Sequence, residues 1–177
     1  NEQGGKNRGQ WGIKPRNKEQ AFALELLKDP DVPVVTLVGK AGSGKTLMAI
    51  ASGLAQVIED DVQSRYKRLV VSRPIQPMGK DIGYLPGTME EKMSPWLAPI
   101  QDNLHYLMGN DKETLRMYVS QGTIEIEALT YIRGRSIADA FIIIDEAQNL
   151  TAHELKTIIT RVGENTKVVL TGDIEQI

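Results

Sequence analysis

The sequence predicts an α/β fold, a mostly parallel sheet with helices on both faces, and three stretches carry that prediction. The apolar, β-branched run Val34-Val35-Thr36-Leu37-Val38 leads through a glycine-rich turn into a helical stretch from Leu47 to Ala55. Further on, Phe141-Ile142-Ile143-Ile144 is apolar at every position, as expected of a strand buried on both faces of a parallel sheet, and it runs directly into Asp145-Glu146. A second buried strand, Lys167-Val168-Val169-Leu170-Thr171, ends in Gly172-Asp173.

At 177 residues the chain suits one domain with a real core. With 21 basic against 23 acidic residues, bulk charge argues neither for nor against nucleic acid, and any binding groove has to be a local patch. Cysteine is absent, which excludes disulfides, thiolate metal sites and cysteine nucleophiles, and two isolated histidines, His105 and His153, are too few for a histidine-based zinc site. No apolar run approaches the roughly 20 residues that span a bilayer, and the start lacks the apolar core of a signal peptide. A soluble, cytoplasmic protein with no membrane partner is the expectation. The missing initial methionine and the stop at Ile177 read as ends cut from a longer protein.

Residues 1–12 are polar and glycine-rich without periodicity and read as a flexible linker; the remainder, 13–177, reads as one domain. Asn17 is placed to cap a helix with Gln20 at the third helical position of a capping box, and Phe22, Leu24, Leu26 and Leu27 supply apolar surface. Pro30 and Pro33 end that helix. Gln20 has a second reading: an amide both donates and accepts, which suits it to a ligand edge that carries a donor and an acceptor side by side.

Gly39-Lys40-Ala41-Gly42-Ser43-Gly44-Lys45-Thr46 fits G-x-x-x-x-G-K-[ST] at every fixed position, between a strand and a helix. Glycines let the backbone turn its N–H groups around a polyphosphate, and the following helix N-terminus adds its positive end. Lys45 supplies a mobile charge to the β- and γ-phosphates, and the Thr46 hydroxyl suits Mg²⁺. The expected nucleotide-binding residues are Gly39, Lys40, Ala41, Gly42, Ser43, Gly44, Lys45, Thr46 and Leu47, with Asn17 and Gln20 at the base. ATP and Mg²⁺ are the expected cofactors, and a RecA-like P-loop core is the expected form of the fold.

The charged segment from Glu59 to Arg68 reads as a solvated connection into the strand Leu69-Val70-Val71. Arg73 follows at the strand's C-terminal end, where it suits either a phosphate or a carboxylate partner. Residues 76–88 hold too many prolines and glycines for a regular element. Thr88 and Glu91 form a capping box, and Ser94-Pro95 starts a second helix with Trp96, Leu97, Ile100, Leu104 and Leu107 at helical spacing. Trp96 reads as core, or as a base-stacking ring. A helix over 112–119 and a strand over 123–126 come next. Arg133 and Arg135 flank Gly134 and suit phosphate contacts, an arginine finger towards a neighbouring subunit, or a surface salt-bridge cluster.

Asp145 at the end of its strand is placed to complete the metal shell, and Glu146 to polarise the attacking water, the Walker B arrangement. Thr151 caps the next helix with Glu154 at the third position and Leu155, Ile158, Ile159 and Val162 as its apolar face. Gln176, beyond the last strand, is a candidate sensor of the γ-phosphate, with Asp173 in support.

Gly39 to Thr46, Asp145-Glu146-Ala147-Gln148-Asn149 and Gly172-Asp173-Ile174-Glu175-Gln176 resemble the first three signature motifs of superfamily 1 helicases. Ser72-Arg73-Pro74, Gly83-Tyr84-Leu85-Pro86-Gly87, Tyr131-Ile132-Arg133-Gly134-Arg135-Ser136 and Thr160-Arg161-Val162-Gly163 are similar to the PhoH family of ATPases. Trp11-Gly12-Ile13-Lys14-Pro15-Arg16-Asn17 resembles the PhoH domain that follows a PIN nuclease domain in two-domain bacterial proteins. The resemblance implies adenine contact by Gln20 and ATP-dependent unwinding of RNA coupled to cleavage by a PIN domain outside this chain. It further implies single-stranded RNA as partner and a ring-shaped, hexameric assembly. The rival expectation is a nucleotide-dependent switch or assembly module without helicase activity. The family continues past Gln176, so contacts from its later segment have no residues here.

Overall fold

The structure is a computed structural model that describes residues 15–40, 43–59, 65–74, 89–109, 111–129 and 137–173, with only the backbone for Glu59 and 89–96. The readings placed on 1–12, on Ala41 and Gly42, on the loop 76–88 with Thr88, on Arg133 and Arg135, and on Gln176 lie outside the described residues, as does the Trp96 side chain.

Among the described residues, five parallel strands form one sheet in the order β1-β5-β4-β2-β3, where β1 is Val34–Gly39, β2 Arg68–Arg73, β3 Ile124–Ala128, β4 Ala140–Ile144 and β5 Lys167–Asp173. Between them run α1 (Lys18–Lys28), α2 (Lys45–Leu54, extended by a π-helical turn Ala55–Glu59), α3 (Met89–Leu107), α4 (Lys112–Ser120) and α5 (Ala152–Arg161). This is the predicted α/β, RecA-like P-loop fold. Every strand pairing is parallel, and β5 lies between the P-loop strand β1 and the Asp-Glu strand β4.

Alternation along the strands divides the core in two. Leu69, Val71, Phe141, Ile143 and Val169 face one side, where they meet Leu24 and Leu27 of α1, the length of α2, and Leu97, Ile100, Leu104 and Leu115 of α3 and α4. Val70, Ile142, Ile144, Val168 and Leu170 face the other and pack with Ile158 of α5. At β1 only Val35 and Leu37 are buried, whereas Val38 on the opposite face is 49% exposed.

Gly53 explains how closely α2 lies on the sheet. A Cβ there would stand 2.7 Å from Leu69 Cδ1 and 2.9 Å from Phe141 Cδ1. The helix that begins at the P-loop is thus held at a distance only glycine permits.

Three local expectations change. The helix expected to restart at Ser94-Pro95 is instead one element from Met89 to Leu107. Burial of Leu97, Ile100, Leu104 and Leu107 keeps the segment helical, offsetting the hydrogen bond that an interior proline gives up. Phe22, expected to pack, is 62% exposed, and Leu24 and Leu27 hold α1 to the core instead. On the other face of the sheet, α5 has the expected capping box: Thr151 Oγ1 accepts from Glu154 N at 3.1 Å and Glu154 Oε1 accepts from Thr151 N at 3.2 Å. Its face is narrower than expected, with Ile158 buried and Ile159 exposed.

Candidate nucleotide and metal site

The C-terminal ends of β1, β4, β5 and β2 converge on one set of polar side chains. Gly44 caps α2 in the left-handed conformation, φ 80° and ψ 11°, which lets the chain leave the loop and enter the helix within one residue. Lys45 follows at once, so its side chain starts from the first turn of α2. Its Nζ donates to the Lys40 carbonyl at 3.3 Å, across the loop, and to Asp173 Oδ1 at 2.5 Å.

Thr46 meets the end of β4. Its Oγ1 donates to Asp145 Oδ1 at 2.9 Å, and Thr171 Oγ1, from β5, donates to the same oxygen at 2.9 Å. Asp145 is buried, and its backbone N–H donates to the Ser72 carbonyl at 2.9 Å, extending the ladder between β4 and β2. A hydroxyl and a carboxylate this close form a hard oxygen donor set. Mg²⁺ takes one or two carboxylates plus phosphate and water, so the pair fits that ion without a larger acidic cluster. Among the described residues no group of three or more His, Asp or Glu side chains is arranged as a metal cage.

Glu146 begins a different path. It adopts φ 58° and ψ 39°, a left-handed conformation that costs a non-glycine residue on the order of 1 kcal/mol. Its carboxylate is held at both oxygens: Arg73 Nη2 lies 3.3 Å from Oε1, and Gln148 Nε2 donates to Oε2 at 2.6 Å. Arg73 Nε also stands 3.4 Å from Asp145 Oδ2. Of the two roles open to Arg73, the structure therefore displays the carboxylate pairing, with both acids. Gln148 turns its amide oxygen the other way, accepting from the Asp173 backbone N–H at 3.2 Å.

Asn17 and Gln20 lie beside the loop. Asn17 Oδ1 accepts from Gln20 N at 2.8 Å, one half of the expected capping box. The other half is displaced by one residue, since Gln20 Oε1 accepts from Arg16 N at 2.7 Å. Gln20 Nε2 donates to the Ser43 carbonyl at 3.3 Å, tying α1 to the glycine loop, and carries a second N–H. A cavity of about 470 Å³ opens here, lined by Asn17, Gln20, Phe22, Val38, Lys40 and Lys45 among others.

Gly39, Lys40, Ser43, Gly44, Lys45, Thr46, Leu47, Asn17, Gln20, Asp145, Glu146 and Arg73 thus fall around one end of the sheet. Sequence reasoning passed over Thr171 and Gln148. Thr171 sits on a strand that reads as simply apolar. Gln148 follows Asp145-Glu146 closely enough to have been marked, because an amide that both donates and accepts is a natural bridge.

The profile of the family described as PhoH-like protein matches residues 12–177. "Protein PhoH2" of Bacillus subtilis (strain 168) is 60% identical over 169 residues, a span covering 94% of this chain and 38% of that protein. Proteins of the same description from Mycolicibacterium smegmatis and Thermobispora bispora are 43% and 40% identical over 167 residues, covering 94% of this chain and 37% of each. The chain therefore spans under two fifths of the length of these relatives.

Proposed function

Because the chain belongs to the PhoH-like protein family, we propose that it binds ATP with Mg²⁺ and hydrolyses it. The observation that carries this reading is the meeting of Thr46 with Asp145 at 2.9 Å, which joins the P-loop to the carboxylate strand with the donors a nucleotide-bound Mg²⁺ requires. When bound, Mg²⁺ would neutralise charge on the β- and γ-phosphates. Thr46 and Asp145 would hold it, and the backbone of Gly39 to Leu47 would cradle the phosphates. Lys45 turns from Asp173 to the phosphate oxygens. Glu146 accepts a proton from the attacking water, while Gln20 and Asn17 face the adenine edge and Gln176 senses the γ-phosphate.

The energy of this cycle is spent on RNA. Within the longer protein we take the ATPase to unwind or remodel RNA, gripping it as a single strand, as a homohexameric ring in the cytoplasm that feeds a PIN nuclease domain outside this chain. Arg133 and Arg135 would contact RNA phosphates or act as fingers between subunits. The order of helicase-like motifs along the sequence supports this extension. No described helix is long and apolar enough to cross a membrane.

The test is steady-state ATP hydrolysis with and without single-stranded RNA, in the protein and in its Lys45→Ala and Glu146→Gln variants. Lys45→Ala should lose binding or turnover. Glu146→Gln should retain ATP and hydrolyse it at least a hundredfold more slowly. Stimulation by RNA supports the remodelling role; turnover indifferent to RNA, with nucleotide-dependent assembly, would replace it with a switch. Unchanged turnover in Glu146→Gln would remove Glu146 from the chemistry.

A further inference from the structure

The polar contacts of the site close into a ring. Lys45 reaches the Asp173 carboxylate, the Asp173 backbone N–H reaches Gln148, Gln148 reaches Glu146, and Arg73 joins Glu146 to Asp145. Asp145 returns to Thr46, the neighbour of Lys45. Gln148 is the one uncharged member of this ring outside the P-loop, and its side chain spans from the β5 end to Glu146.

We propose that Gln148 is a positioning residue: it orients the Glu146 carboxylate for water activation and registers that orientation to the end of β5, which Lys45 also touches. The proposal rests on the reading of Glu146 as the group that polarises water. Three observations carry it. First, Glu146 sits in a left-handed backbone conformation, φ 58°, that needs support from its surroundings. Second, the 2.6 Å bond from Gln148 Nε2 is shorter than the 3.3 Å approach of Arg73 Nη2 to the opposite oxygen. Third, room for the amide is made by Gly172, where a Cβ would stand 2.9 Å from Gln148 Oε1.

The chemistry of the side chain is specific. An amide donates to a carboxylate through one atom and accepts from a backbone N–H through the other. Glutamate at 148 would keep the acceptor, lose the donor and set a second negative charge against Glu146. Asparagine keeps both groups on a stem one methylene shorter and cannot span the same gap. Displacement of a catalytic group by about 1 Å can cost up to about a hundredfold in rate, so the effect belongs in turnover and not in nucleotide affinity.

The experiment compares kcat, KM and nucleotide Kd for the full-length protein and its Gln148→Ala, Gln148→Glu and Gly172→Ala variants, each checked for an unchanged melting temperature. Gln148→Ala should lower kcat about tenfold or more with KM and Kd within twofold, and Gln148→Glu should lower it further. Gly172→Ala, which keeps the amide and crowds it, should give a smaller loss of the same kind. Combined with Glu146→Gln, Gln148→Ala should cause no further loss in single-turnover hydrolysis, because its effect runs through Glu146.

Wild-type kcat in Gln148→Ala, or a full additional loss in the Glu146→Gln background, would overturn the positioning role while leaving the ATPase reading intact. An inactive wild type, or a fully active Glu146→Gln, would overturn both.

Discussion

The Nζ of Lys45 lies 2.5 Å from Oδ1 of Asp173, an ion pair between residues 128 positions apart whose side chains are each 13% exposed. The Lys45 amine therefore already has a partner, and the proposed binding of a phosphate there would exchange one anion for another. Removing the competing charge should favour the nucleotide. Asp173→Asn is expected to lower the Kd for ATP about three- to tenfold, corresponding to roughly 1 kcal/mol for a part-buried pair. Titration with a fluorescent nucleotide analogue checks it; weaker binding would place Asp173 among the groups that stay with the bound nucleotide.

Gln20 joins α1 to the loop through the Ser43 carbonyl, and the cavity beside it carries Phe22 and Val38. If its amide reads the adenine edge, the remaining N–H donating to a ring nitrogen and the oxygen accepting from the exocyclic amine, Gln20→Ala should weaken ATP binding about fivefold or more and GTP binding less, because guanine presents an acceptor where adenine presents that amine. Competition between the two nucleotides at the same site reads this directly. Equal loss for both would assign Gln20 to shaping the loop.

Lys167 is fully buried at the start of β5. Its Nζ donates to the carbonyls of Leu26 at 2.6 Å and Asp29 at 2.8 Å, at the C-terminal end of α1. Burial pushes its pKa down from 10.5 to about 8, partly opposed by the charge of Asp29. Between those two values the unfolded chain holds more protons than the folded one, so this residue makes stability rise with pH across that window. The full rise is about 3 kcal/mol. Chemical denaturation across the window should show the rise in the wild type and lose it in Lys167→Met. A neutral amine still has the N–H groups to serve both carbonyls, so the anchor survives its own deprotonation.

Gly53 faces Leu69 and Phe141 at distances that leave no room for a methyl group. Alanine improves helix propensity by about 1 kcal/mol, whereas overpacking costs about 1–3 kcal/mol. The crowding prevails, because both neighbours are fully buried. Gly53→Ala should lower the melting temperature by several degrees. It should also weaken nucleotide binding, since any shift of α2 moves Lys45 and Thr46 with it.

The central fold was legible because its signals are local. Phe141 to Ile144 is apolar throughout and emerges buried at every position, and Gly44 stands where only a left-handed turn joins loop to helix. Strand order was not legible. Nothing in the residues of β5 says that it inserts between β1 and β4, yet that insertion brings Thr171 to Asp145 and Asp173 to Lys45. The partners of Lys167 were not legible for a related reason: only the tertiary fold brings the carbonyls of Leu26 and Asp29 to its tip. Pro95 signals a helix start by its own chemistry, and packing further along the same helix overrides it. Motif spacing named Asp145 and Glu146 but left out Gln148, whose contacts depend on where β5 ends.

The anchor at Lys167 and the contact at Ser43 fasten α1 at both of its ends, one to the beginning of β5 and the other to the loop. Eleven residues of helix measure roughly 16 Å and seven of strand roughly 23 Å. Together they work as a caliper whose jaws are the Gln20 end of α1 and the Asp173 end of β5. Side chains along either rod can change with little effect on that gauge, but its length cannot. An insertion of one residue in α1 would shift a jaw by about 1.5 Å and turn it by roughly 100°, while one in β5 would reverse the faces of every residue beyond it. Variation in this part of the molecule is therefore constrained far more tightly in length than in composition.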